Sequence, residues 1–138
     1  MRRRTAIGLG LASLFGLLTA CSGLKELQGT LTDLNAVQRA LIEALGHKDM
    51  GVNLLNGSVL NISAVNSPWT SLAAAQKQAK AREIAEVAYK SYPSRANSET
   101  IRVTFVVQSN AGPVTYKNAV DAFTFQAAEF APAGTVKQ

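Results

Sequence analysis

The stretch Thr100–Gln108 constrains the fold of this chain more than any other. Ile101, Val103, Phe105 and Val107 alternate there with Arg102, Thr104, Val106 and Gln108. Successive strand residues point to opposite faces, so this alternation asks for a sheet covered on one side and wet on the other. Asn110-Ala111-Gly112-Pro113 is turn chemistry, and Val114–Phe125 is expected to fold back as the partner strand. The returning strand carries an irregularity. Tyr116 and Phe123, both expected to face inward, are an odd number of residues apart, and a period of two cannot put both on one face. A bulge or break is therefore expected within Lys117–Asp121.

Upstream, Leu24, Leu27, Leu31, Leu34, Leu41 and Leu45 follow a three-four spacing interrupted only by Gln38, one face of an amphipathic helix. Gly29 and Thr30 interrupt its early part, which places the helix at Thr32–Leu45, with Thr32 or Asp33 as cap and Gly46 as stop. The spacing barely reaches three heptads, so packing against a sheet is favoured over a dimerising seam. Val52–Val65 reads as strand around Asn56-Gly57. Asn-Gly suits a tight hairpin turn of type I′, the alternative being one long strand kinked at Gly57. Leu60, Ile62 and Ala64 are its expected buried face. Ser67-Pro68-Trp69 is expected to open a second helix that runs to Tyr89 or Ser91. Leu72, Ala81, Ile84, Val87 and Ala88 form its dry side, and Lys77, Lys80, Glu83, Glu86 and Lys90 belong to its wet side. Together these patterns predict an α+β domain, two helices packed on one face of a small, mainly antiparallel sheet in the order α-β-β-α-β-β. The two halves share no residue pattern beyond that order.

The beginning of the chain speaks to location. Arg2-Arg3-Arg4, an apolar run from Ala6 to Leu18 and small residues after it have the order of a secretory leader. The run is shorter than the roughly 20 apolar residues that span a bilayer. Leu18-Thr19-Ala20-Cys21 resembles the lipobox of bacterial lipoproteins, a resemblance confined to about the first 22 residues. It implies cleavage before Cys21, a diacylglycerol thioether on its thiol, and acylation of the new amine by a fatty acid such as palmitate. Ser22, where an aspartate would favour the inner membrane, implies the outer membrane with the domain in the periplasm. In a Gram-positive host the same motif implies the outer face of the cytoplasmic membrane.

The expected segments are a cleaved leader at 1–20, a lipidated N-terminus and tether at 21–30, a single α+β domain at 31–128 and a loose tail at 129–138. Loss of the leader leaves 138 − 20 = 118 residues and a charge of 11 − 9 = +2. That length suits one core, and the near-neutral balance gives no reason to expect nucleic acid. With Cys21 consumed by lipid, no thiol remains for a disulfide, a metal or catalysis.

Candidate chemistry is sparse. His47, the sole histidine, follows the first helix beside Lys48 and Asp49, where a surface capping role is expected. With Asp49 it offers too few ligands for a closed metal site, and no nucleophile accompanies it. Glu83 and Glu86 share a helix face among Lys80, Arg82 and Lys90, the pattern of a solvated charged stripe. Gly8-Leu9-Gly10 falls in the leader, so no phosphate loop is expected, and neither a cofactor nor a metal. Trp69, Tyr92 and Tyr116 are the candidate residues for binding a ligand or partner, because rings with polar tips suit interfaces. The expectation is a non-enzymatic lipoprotein, held to the bilayer through Cys21 and presenting its domain to an envelope protein. The alternatives are a ligand-binding module using exposed aromatics and an enzyme with an unrecognised site.

Overall fold

The computed structural model describes residues 18–132, with side chains from residue 23 onward. The leader expected at 1–20 falls almost wholly outside the described residues, as do residues 133–138 of the expected tail. By its contacts the chain divides after Leu31 into two units.

The sheet has four strands, β1 (Met50–Leu55), β2 (Val59–Val65), β3 (Thr100–Ala111) and β4 (Val114–Gln126), in the spatial order β1-β2-β3-β4. Helix α1 (Leu18–Leu45) precedes β1, and α2 (Ala74–Ser91) connects β2 to β3. The sequence order is thus α-β-β-α-β-β, an α+β fold. The outer pairings are antiparallel, while the central β2–β3 pairing is parallel and needs α2 as its crossover. Asn56-Gly57 forms a hairpin turn and not a kink. Both residues have positive φ, 51° and 74°, and the Ser58 amide closes the turn on the Leu55 carbonyl.

The inward face follows the alternation. Leu60 pairs with Ile101, Ile62 with Val103 and Ala64 with Phe105, and all six are fully buried. Val37 and Leu41 of α1 and Ala81, Ile84, Ala85 and Ala88 of α2 complete the same core. The three buried alanines of α2 let its backbone lie close to the strands, and Ile84 supplies the bulk between them. Phe105 is central, with Trp69 and Phe123 edge-on at 6.5 and 6.0 Å, contacts that contribute about 0.5–1.5 kcal/mol each beyond area burial. The opposite sheet face is open and of mixed character, with Leu55, Val59, Val65 and Val106 beside polar residues, among them Asn61, which donates to Asn53 across the β1–β2 pair at 2.9 Å.

Several expectations are corrected. Gly29 and Thr30 do not interrupt α1, and Thr32 and Asp33 lie within the helix and do not cap it. An interior glycine costs only about 1 kcal/mol, and the Thr30 hydroxyl is satisfied by the Glu26 carbonyl at 3.0 Å. Asp33 instead accepts from Ser94 Oγ at 2.6 Å. Gly46 is the stop, at φ 67° with its amide on the Ile42 carbonyl.

Ser67-Pro68-Trp69 opens a 3₁₀ turn, Pro68–Ser71, and α2 begins only at Ala74 after extended Leu72 and Ala73. Thr70 and Ser71 return their hydroxyls to the carbonyls of Ser67 and Pro68, the local bonding that competes with helix propagation. Lys77, expected on the wet side, is largely covered and pairs with Asp121 at 2.5 Å. Residues 129 and 130 are not a loose tail. Gln126 and Glu129 form a capping box around the 3₁₀ turn Ala127–Phe130. Phe130 then packs against Tyr89 and Phe125, with ring centroids at 6.1 and 5.9 Å.

Candidate functional site

The β3–β4 ladder changes register once. Phe105 pairs with Asp121 and Val106 with Ala119, which leaves Val120 as the extra residue of a β-bulge. This is the irregularity expected within Lys117–Asp121. Beyond it the two strands continue as an arm of six pairs, from Val106/Ala119 to Ala111/Val114. Gly112, at φ 61°, supplies the positive dihedral that the two-residue connection requires at its first position.

Every residue from Ser109 to Val120 is exposed. Val107, expected to be buried, is 40 % exposed, and Tyr116, expected to face inward, is 53 % exposed. The arm has passed the end of the core, so inward-facing positions find nothing to pack on. Its faces can still be told apart. Val107, Ser109 and Ala111 keep the phase of Ile101, Val103 and Phe105, and their partners are Asn118, Tyr116 and Val114. Antiparallel partners share a face, so Val107, Tyr116 and Val114 form one apolar strip in line with the covered side of the sheet. The outer edge of the arm belongs to β4, an edge strand of thirteen residues. Such an edge offers unpaired amides and carbonyls to an incoming strand.

Two contacts fix the base of the arm. Asn66, at φ 50°, accepts the Gln108 amide on Oδ1 at 2.8 Å and donates Nδ2 to the Gln108 carbonyl at 3.1 Å. Its side chain thereby adds one rung to the β2–β3 ladder after β2 has ended. The Lys77–Asp121 pair ties α2 to β4 beside the bulge. Near this base, Gln38, Lys48, Asp49, Asn66, Gln108 and Lys117 line a polar cleft of about 400 Å³.

The three candidate aromatics are not brought together. Trp69 is half-buried between His47 and Phe105, with Lys80 Nζ 5.4 Å from its ring centre. Tyr92 is 3 % exposed, and burial, with the Asp33 charge as a lesser cause, raises its phenol above the ordinary value. Of the set only Tyr116 presents its ring to solvent. His47 is also structural, since its Nε2–H donates to the Val65 carbonyl at 2.8 Å and its ring stands edge-on to Trp69. It joins the end of α1 to the end of β2 and does not serve as a surface cap.

Glu83 pairs with Lys80 at 2.5 Å and Glu86 with Lys90 at 2.7 Å, all four on the surface of α2. The hydrogen bond from Lys90 holds the Glu86 carboxyl below its ordinary value. These are the solvated pairs the sequence suggested. Position 21 is helical, and its side chain lies outside the described set. Among the described residues no three His, Cys, Asp or Glu side chains gather as a metal site, and no helix is long and apolar enough to cross a membrane.

Sequence reasoning missed Asn66 and the extent of the arm. The arm had no sequence signal of its own, because its inward phase still carries Val107, Val114 and Tyr116. No protein-family model, no characterised sequence and no solved structure matches the chain.

Proposed function

We propose that this chain is a small envelope lipoprotein without enzymatic activity, anchored through acylated Cys21 at the outer membrane, whose domain holds a protein partner on the β3–β4 arm. The observation that carries the contact is the arm itself. Val107, Val114 and Tyr116 stand together on one face, beside a free strand edge, on a segment held at its base by Asn66 and Lys77–Asp121. Apolar and aromatic groups presented beside an open edge suit strand addition, in which backbone bonds give affinity and side chains give selectivity. The lipobox resemblance supports the anchor, and two or more acyl chains make such an anchor durable.

Site-specific photocrosslinking in intact cells tests the contact. A crosslinker replacing Tyr116 should capture a discrete protein, and one replacing Arg102, on the open sheet face away from the arm, should not. Equal capture from both positions, or none from Tyr116, overturns the reading. The anchor is tested separately by palmitate labelling, which Cys21→Ser should abolish together with processing of the precursor.

A further inference from the structure

Leu24, Leu27 and Leu31 are 64, 61 and 55 % exposed on the first unit of the chain. They recur at i, i+3 and i+7, which confines them to an arc of about 60° at 3.6 residues per turn. In the sequence the same three-four alternation continues through Leu34, Gln38, Leu41 and Leu45 without a skipped step. In the second unit those later positions are used within the fold. Leu41 is fully buried, Leu34 and Leu45 pack against the core, and Gln38 donates to the Met50 carbonyl at 2.7 Å. The three earlier leucines have no such cover.

We infer that Leu24, Leu27 and Leu31 form a short parallel seam with the same residues of a second copy of this chain. Two observations select that occupant over a bilayer surface. A helix lying in a membrane interface buries a wide apolar face, whereas a strip limited to the a and d positions of a heptad has the width of a helix–helix seam. The flanks agree. With Leu24 and Leu31 at a and Leu27 at d, the seam-edge positions are Gln28 and Thr30, both uncharged, and the charges of Lys25 and Glu26 stand at outer positions. Two copies can therefore approach without like-charge repulsion. Nor does the outer face have the cluster of basic residues that draws a helix onto anionic lipid.

A seam of eight residues, from Leu24 to Leu31, is too short to associate from free solution. The inference rests on the proposed anchor at Cys21, one turn before Leu24, which would confine both copies to one surface with their helices aligned and raise their effective concentration.

Because acylation consumes the only native thiol, introduced cysteines report on this seam directly. The full chain is expressed with its leader as Leu27→Cys, Leu31→Cys or Glu26→Cys, and isolated membranes are oxidised. All three positions are exposed, so none of the substitutions threatens the core. Leu27→Cys and Leu31→Cys should form disulfide dimers at least about tenfold more than Glu26→Cys, since a disulfide needs its Cα atoms within about 7 Å. Absent or equal cross-linking overturns the seam. So does a Leu27→Cys thiol shielded from a water-soluble maleimide without dimer, which would assign the strip to the bilayer. Mass analysis of the Cys21 peptide separates the two readings. Acylated protein that fails to cross-link overturns the seam alone. Unacylated protein that keeps the selective pattern retains the seam and removes the anchor, and loss of both overturns both.

Discussion

The β3–β4 hairpin contains two regions built from the same alternation with opposite fates. Between Thr100 and Phe105 the apolar positions of β3 are buried and their partners include Phe123 and Phe125. Between Val106 and Ala111 the same phase continues, yet Val107, Val114 and Tyr116 are exposed. Residue type does not separate the regions. What separates them is whether a helix lies opposite, and the bulge at Val120 marks the boundary. An alternating strand therefore announces which residues share a face, while burial of that face is decided by elements far away in sequence.

The sharpest way to test the contrast is to truncate one residue on each side of the boundary. Phe105→Ala should cost about 3–5 kcal/mol, because it removes a buried ring and leaves a cavity under Trp69 and Phe123. Val107→Ala should change stability by no more than about 0.5 kcal/mol. Urea denaturation of the two variants checks this, and comparable losses would mean the arm is packed after all. The next effect is on association. Tyr116→Ala should leave the thermal transition where it is and weaken capture of the proposed partner by about 2 kcal/mol, as loss of an interface aromatic does.

The junction comes third. Asn66→Ala removes both side-chain bonds to Gln108 and should cost about 1–2 kcal/mol, with faster hydrogen exchange at the Gln108 amide and unchanged exchange at Val103. The smallest effect concerns pH. Glu129 is held below its ordinary carboxyl value, first by the hydrogen bond from Arg82 and then by the Gln126 amide. Since the folded value is the lower one, its contribution is present above the unfolded value and is lost as pH falls through the folded one. Glu129→Gln should therefore lower stability slightly at neutral pH and leave it unchanged below the folded value, which flattens the acid limb of the stability profile.

The legible parts of the fold were those governed by local periodicity. Leu60, Ile62 and Ala64, and Ile101, Val103 and Phe105, identify the covered face because a period of two leaves no other arrangement. The slip between Tyr116 and Phe123 likewise located the bulge. The start of α1 was obscured because Gly29 and Thr30 are unfavourable one at a time, whereas a helix is decided cooperatively over many residues. The delay of α2 to Ala74 was hidden by good local signals at Ser67-Pro68, which serve the 3₁₀ turn equally well. Asn66 was out of reach, since its role is defined by Gln108, 42 positions later. The candidate site was least legible, for the rings were visible in the sequence but the covering of Trp69 and Tyr92 depends on tertiary packing.

The parallel joint between β2 and β3 also sets the order in which the chain can fold. Each hairpin closes over a few residues, whereas Val59 meets Thr100 only after the whole α2 crossover is in place, and closing the longer loop is the slower event. During synthesis the N-terminal half must therefore wait with the inner edge of β2 unpaired and Leu60 and Ile62 uncovered. The midline of the finished sheet is where the unfinished chain is most exposed to aggregation.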